Sequence, residues 1–150
     1  MNTPPETFHD RPFSKILRSL KEAGLRPTRQ RLALGKLLFD AGNRHVTAEQ
    51  LHAEASAKGV KVSLATIYNT LNQFTESGLM REVVVAPGRS YYDTNTKDHH
   101  HFFYEDDGIL KDIPYDAIAL SAMPDAPDDA EVVRVDVIVR LRRAVNNQSQ

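Results

Sequence analysis

An α+β fold in two parts is predicted by three observations. Apolar residues recur at helical spacing as far as residue 78 and at a spacing of two from there on. Charge divides along the same line. Residues 1–90 carry 13 Lys and Arg against 8 Asp and Glu, a balance of +5, while residues 91–150 carry 6 against 12, a balance of −6 within a chain of 150 residues and net charge −1. The third observation is Pro87-Gly88, which sits between two short alternating runs immediately after the helices and marks a hairpin. The basic half suits a polyanion, and the acidic half suits cations or a partner chain.

Taken in order, Phe13, Ile16, Leu17 and Leu20 give the apolar stripe of a first helix ending near Gly24. Leu32, Leu34, Leu37, Leu38 and Phe39 repeat it from Thr28 to Ala41, where Gly42-Asn43 stops the helix. The third helix opens with the capping box Thr47-Ala-Glu-Gln50, in which Thr47 and Gln50 satisfy each other's free amides, and it buries Leu51 and Ala55 before Gly59. The fourth runs from Ser63 to Gly78 with Leu64, Ile67, Leu71 and Phe74 as its buried face. Strands Leu79 to Val85 and Ser90 to Asp93 follow, joined by Ala86-Pro-Gly-Arg89, whose proline fixes one φ and whose glycine permits a positive one. Helices followed directly by such a hairpin predict a winged helix with Arg89 at the wing tip.

Beyond the wing the chain reads as strands Phe102 to Glu105 and Gly108 to Ile113, a short helix Tyr115 to Met123, a Pro/Asp-rich loop to Asp129 and a strand Glu131 to Arg142. Val133, Val135, Val137, Val139 and Leu141 share one face of that last strand, so it is expected to be half buried and to pair across the two-fold axis of a homodimer. The predicted organisation is a flexible tail over residues 1–13, a winged-helix DNA-binding domain over 14–93 and a small α/β dimerisation domain over 94–150.

The chain has no cysteine, which excludes disulfides, thiolate nucleophiles, cysteine-ligated structural zinc and iron–sulfur clusters. No apolar run approaches the ~20 residues that span a bilayer, and the N-terminus lacks the basic and apolar regions of a signal peptide. A cytoplasmic protein without a membrane partner is expected. Nor is there a Gly-rich phosphate loop, a nucleophile elbow or an H-E-x-x-H helix, so the sequence does not predict an enzyme.

The outer face of the fourth helix carries Ala65, Thr66, Tyr68, Asn69, Asn72 and Gln73, behind Ser63 at its start, with no acid before Glu76. Asn and Gln pair bidentately with adenine, Thr and Ala methyls touch the thymine methyl, and Tyr reaches phosphate or a base methyl, so this face suits the major groove of double-stranded DNA. Composition alone would also fit an ordinary solvated face. The DNA reading is favoured by Lys15, Arg18, Arg26, Arg29, Arg31 and Arg89, basic residues of the same half that suit phosphates.

Three of the six histidines are consecutive, His99, His100 and His101. Alternate residues of a strand share a side, so His99 and His101 offer two imidazole nitrogens to one centre. A solvated polar turn is the bland alternative, but the neighbours point elsewhere. Asp93 ends the second wing strand, Asp112 follows on the next predicted strand, and His45 stands just ahead of the third helix. Imidazoles with carboxylates suit a divalent metal such as Mn²⁺, Fe²⁺ or Zn²⁺. His52, beside Leu51, reads as structural, and His9 belongs to the tail.

Gly24-Leu-Arg-Pro-Thr-Arg-Gln-Arg31, His45-Val-Thr-Ala-Glu-Gln-Leu51, Ser63-Leu-Ala-Thr-Ile-Tyr-Asn-Thr-Leu-Asn-Gln-Phe74 and Asp98-His-His-His101 with Asp107-Gly108 resemble the ferric uptake regulator family over residues 14–112. The resemblance implies a dimeric winged-helix repressor whose operator binding answers to metal at His45, Asp93, His99, His101 and Asp112. The chain departs from the family at Tyr104-Glu-Asp-Asp107, where a Cys-x-x-Cys usually begins a structural zinc site, and no histidine follows His101. Lacking cysteine but holding three adjacent histidines, it most resembles the iron response regulator branch. That branch implies operator binding under iron limitation and release by haem, with His99, His100 and His101 as the haem ligands. The Cys-Pro haem motif of some relatives is absent. A metal-dependent peroxide sensor is the main alternative, and a metal-dependent enzyme a remote one.

Overall fold

The computed structural model describes residues 12–145. His9 and most of the expected tail lie outside them. The chain divides into two units between Thr96 and Lys97.

The first unit contains α1 (Ser14–Glu22), α2 (Arg29–Phe39), β1 (His45–Val46), α3 (Ala48–Ala57), α4 (Leu64–Glu76), β2 (Arg81–Ala86) and β3 (Arg89–Asp93). Its core is one cluster in which Ile16, Leu20, Leu34, Leu38, Leu51, Ile67, Leu71 and Phe74 are fully buried, so each helix contributes one stripe. Leu64 was expected on that face but stands 37% exposed, because it is the first residue of α4 and precedes the turn that meets the core. Phe13 likewise is 43% exposed, ahead of the first turn of α1. The helices begin where the caps predict. Thr28 and Ser63 accept from the amides of Arg31 and Thr66, and the Thr47–Gln50 box closes in both directions, at 3.1 and 2.9 Å.

The wing is a three-stranded sheet in the order β1-β3-β2. β1 is a strand that the periodicity did not reveal, since two residues are too few to show alternation. It pairs antiparallel with β3, His45 opposite Asp93. Arg44 and Thr94 extend this register, with Arg44 N–H donating to Thr94 Oγ1 at 2.8 Å and Thr94 N–H donating to the Arg44 carbonyl at 2.9 Å. The Arg44 guanidinium grips both carboxylate oxygens of Glu54 on α3, at 2.5 and 3.0 Å, and so fixes the approach to His45. At the wing tip Gly88 has φ +69°, the left-handed conformation that the turn requires.

The second unit is a sheet in the order β5-β4-β6, made of β4 (His100–Tyr104), β5 (Ile109–Ile113) and β6 (Ile138–Leu141), with Phe103, Leu110 and Ile113 buried. β4 begins at His100, two residues earlier than the sequence suggests. Two expectations fail here. Only Tyr115–Ala117 form a turn of 3-10 helix within the helix expected to reach Met123, and Ile118 is already extended. Leu120 and Met123 are about half exposed, and Pro124 disfavours helix at Met123. The strand expected over 131–142 is a strand only at Ile138–Leu141, where it runs parallel to β4. Residues 131–137 precede the stretch paired with β4, and Val133 is 90% exposed. Val137 still reaches β4, its carbonyl accepting from the His101 amide at 3.2 Å, and alternation alone does not set how far a strand extends.

Candidate metal centre and nucleic-acid interface

Strand parity brings three of the predicted metal ligands together in the second unit. Asp112 lies directly across the β4–β5 ladder from His101, and His99 precedes β4 with the same parity. His99 Nε2 and His101 Nε2 lie 3.5 and 3.3 Å from the same oxygen, Asp112 Oδ1, and the two imidazoles are 4.5 Å apart between centroids. Ligand atoms of His99, His101 and Asp112 all fall within 4.8 Å of one another.

Hydrogen bonding assigns the His99 tautomer. Its Nδ1 lies 2.6 Å from the Lys97 carbonyl, an acceptor only, so Nδ1 carries the proton and donates. In its neutral form the ring then turns the lone pair of Nε2 toward the carboxylate oxygen. Lone pairs facing one another call for a cation between them, and a backbone carbonyl behind the distal N–H is the usual support of a metal-binding histidine. This donor set fits a divalent ion. The Lys97 carbonyl was not identifiable from the sequence, because a backbone group leaves no residue-type signal.

The first unit holds the other two predicted ligands as a cross-strand pair, His45 on β1 and Asp93 on β3. Asp93 is 1% exposed and accepts from the Asn95 amide at 2.9 Å, and the His45 ring meets Tyr91 edge-on at 6.0 Å. His52 bonds the Val62 carbonyl through Nε2 at 3.1 Å, the structural role expected of it.

His100 is separated from its neighbours. It stacks on Tyr115 with centroids 5.6 Å apart, and its Nδ1 accepts the Val137 amide at 3.1 Å. It also lines a cavity of about 580 Å³ with Ile118, Leu120, Met123 and Val133. A neutral ring whose Nδ1 accepts must carry its proton on Nε2. In this arrangement the three histidines do not form one ligand set for a haem iron.

On the face expected to meet DNA, α4 exposes Ser63, Ala65, Tyr68, Asn69, Asn72 and Gln73, while Thr66 is half buried and shares a hydrogen bond with Ser63 at 3.0 Å. Arg26, Arg29 and Arg89 are exposed. Lys15 instead donates to the Phe39 carbonyl at the end of α2, at 2.9 Å. Arg31, expected to meet phosphate, donates to Gln73 Oε1 and to the Arg26 carbonyl, at 2.9 and 2.8 Å. Tyr68 donates to Glu49 of α3 at 2.8 Å, and this bond holds the Glu49 carboxyl below its ordinary pKa and raises that of the Tyr68 phenol. The Tyr92 hydroxyl donates to Asn72 Oδ1 at 3.2 Å. The role of Glu49 was hidden because its partner stands 19 positions away on another helix.

Four helices leading into a three-stranded wing, followed by a small sheet with a His/Asp group, define a winged-helix protein with a metal-type centre. Residues 22–134 match the model of the ferric uptake regulator family, and the chain belongs to that family. It is 36% identical to the peroxide operon regulator of Bacillus subtilis over 103 residues, 69% of this chain and 70% of that protein. In fold it is similar to the ferric uptake regulator of Vibrio cholerae, with TM-score 0.66 and 22% identity over 84% of this chain and 98% of that one. It is similar also to the ferric uptake regulator of Pseudomonas aeruginosa solved with manganese, with TM-score 0.63 and 24% identity over 85% and 97%. Structures of this family have an N-terminal winged-helix DNA-binding domain and a small dimerisation domain. The chain is therefore a metal-dependent transcription regulator and not an enzyme. No helix among the described residues is long and apolar enough to cross a membrane.

Proposed function

We propose that this chain binds operator DNA in the cytoplasm as a homodimer, and that one divalent ion, Mn²⁺, Fe²⁺ or Zn²⁺, governs that binding through His45, Asp93, His99, His101 and Asp112. The observation that carries the reading is the pair of imidazole nitrogens aimed at Asp112, with His99 held from behind by the Lys97 carbonyl. Arg26, Arg29, Arg89 and, once released from Phe39, Lys15 supply the phosphate contacts. Ser63, Ala65, Thr66, Tyr68, Asn69 and Asn72 face the groove. Metal occupancy would set the angle between the two recognition helices of the dimer, and half-sites tolerate little error in register.

The signal has two readings. Peroxide is favoured by the curated relatives, among them the Bacillus subtilis protein, whose name is that of a peroxide regulator. Bound Fe²⁺ would supply the redox chemistry and, in a chain without cysteine, a ligand histidine such as His45 or His99 is the group to be oxidised. Release by haem under returning iron, the property of the iron response regulator branch, is favoured by the cavity beside His100, which is mainly apolar but also lined by Asp98, Asp116 and Arg134. Haem ligation by His99, His100 and His101 requires the Val137–His100 hydrogen bond to break.

One titration separates them. The full chain is bound to duplexes selected from a random pool, with Mn²⁺, with chelator, with Fe²⁺ plus hydrogen peroxide, and with haem. Mn²⁺ should tighten binding on the order of tenfold. Equal affinity with Mn²⁺ and with chelator overturns the metal reading. Loss of binding with one oxygen atom added to a histidine-containing peptide identifies peroxide as the signal. Loss with a haem absorption band that His100→Ala removes identifies haem.

A further inference from the structure

Two residues outside the recognition helix decide what that helix can offer a base pair. Tyr68 and Gln73 both stand on the exposed side of α4, and each is held by a charged side chain from another helix. The Tyr68 hydroxyl lies 2.8 Å from Glu49 Oε1 of α3. A carboxylate only accepts, so the single phenolic proton is committed and only the oxygen lone pairs remain. Gln73 Oε1 lies 2.9 and 3.3 Å from Arg31 Nη2 and Nε of α2, while Arg31 Nη1 is anchored on the Arg26 carbonyl at 2.8 Å. A guanidinium only donates, so the atom facing it must be the amide oxygen, and the –NH₂ group is what Gln73 has left.

We propose that Glu49 and Arg31 are positioning residues that make Tyr68 a hydrogen-bond acceptor and Gln73 a hydrogen-bond donor toward DNA. The inference rests on the DNA-binding reading above. It reverses the expectation that Gln73 pairs bidentately with adenine, which needs its oxygen as well as its nitrogen. Gln73 instead selects base edges that present acceptors, namely guanine O6 and N7, adenine N7 or thymine O4. Tyr68 selects the amino groups of adenine or cytosine and does not donate to a phosphate.

The test is selection of duplexes from a random-sequence pool by the full chain with saturating Mn²⁺, followed by sequencing. It is run for the parent, Arg31→Met, Arg31→Lys, Glu49→Leu and Glu49→Gln, with thermal unfolding to confirm that each variant folds. Arg31→Met frees the Gln73 oxygen and should shift preference toward A·T at one position per half-site, on the order of tenfold. Arg31→Lys keeps a donor and should retain the parental preference. Glu49→Leu should relax the preference at a second position, and Glu49→Gln, which keeps an acceptor, should restore it. Variants that change affinity equally on every sequence overturn the proposal, leaving the two residues as phosphate or structural contacts. A parent that enriches no sequence overturns the DNA-binding reading itself, and the proposal with it.

Discussion

Replacing Gly35 with alanine sets two effects of opposite sign against each other. In the interior of α2 the change should stabilise the helix by about 1 kcal/mol, because glycine carries that much extra backbone entropy. A Cβ at Gly35, however, would collide with Cγ1 and Cδ1 of Ile16 on α1. Ile16 is fully buried among Leu20, Leu34 and Leu38, and its branched Cβ keeps χ1 stiff, so it cannot swing aside. Overpacking of this kind costs about 1–3 kcal/mol. With two atoms struck and no exit, the upper part of that range applies. The expected net loss is about 1–2 kcal/mol, equivalent to roughly 5–10 °C in Tm for a unit of this size. Thermal unfolding followed by circular dichroism measures it, together with Ile16→Val and the double variant. Ile16→Val alone should cost about 0.5–1.5 kcal/mol, but it removes Cδ1, one of the two atoms struck, and so should recover part of the stability in the Gly35→Ala background while the Cγ contact remains. A Gly35→Ala variant as stable as the parent, or two losses that simply add, would refute the close α1–α2 approach.

Two further outcomes are expected. Asp112→Asn keeps the size of the side chain but removes the charge that faces both imidazoles, so Mn²⁺ affinity measured by calorimetry should fall at least on the order of tenfold, with secondary structure unchanged. Undiminished affinity would place the ion elsewhere. The guanidinium of Arg143 holds the Asp107 carboxyl below its ordinary pKa by hydrogen bonding. A carboxylate depressed in the folded state stabilises above its unfolded pKa, and that contribution vanishes as pH falls through the folded one. Asp107→Asn should therefore lower Tm by a constant small amount at neutral pH and by nothing in strong acid. A difference that grows on acidification has the wrong sign.

The first unit was legible in the sequence because local signals and the global fold agree there. Thr28, Thr47 and Ser63 cap the helices that their spacing announces, and the buried stripes meet in one core. The His/Asp cluster was legible for a similar reason. Strand parity places His99 and His101 together, and a strand five residues farther on returns Asp112 opposite His101. What escaped depends on partners distant in sequence. β1 is defined by its ladder with β3 and not by its two residues, and the alternation over residues 131–142 did not say that the ladder with β4 covers Ile138–Leu141 alone. The acceptor on Tyr68 and the donor on Gln73 come from α3 and α2, so the composition of the α4 face said which atoms were present but not which were already bound.

The departure at Tyr104-Glu-Asp-Asp107 acquires a physical meaning from the same geometry. Where the family usually begins a cysteine zinc site, this chain has carboxylates, and they close on Arg143 from the C-terminal side. The Arg143 amide donates to Asp106 at 2.7 Å, its guanidinium donates to Asp107 at 2.8 and 3.1 Å, and the guanidinium carbon lies 3.9 Å from the Tyr104 ring centroid. The Glu105 amide adds a bond to the Leu141 carbonyl at 2.9 Å. A single exposed ion pair does little, but several contacts on one guanidinium fix the turn after β4 to the end of β6 without metal or thiol. Among the described residues, the ligand-competent group in the second unit is then the one at His99, His101 and Asp112. On the proposed reading, a change in DNA binding on chelation is the signature of that group.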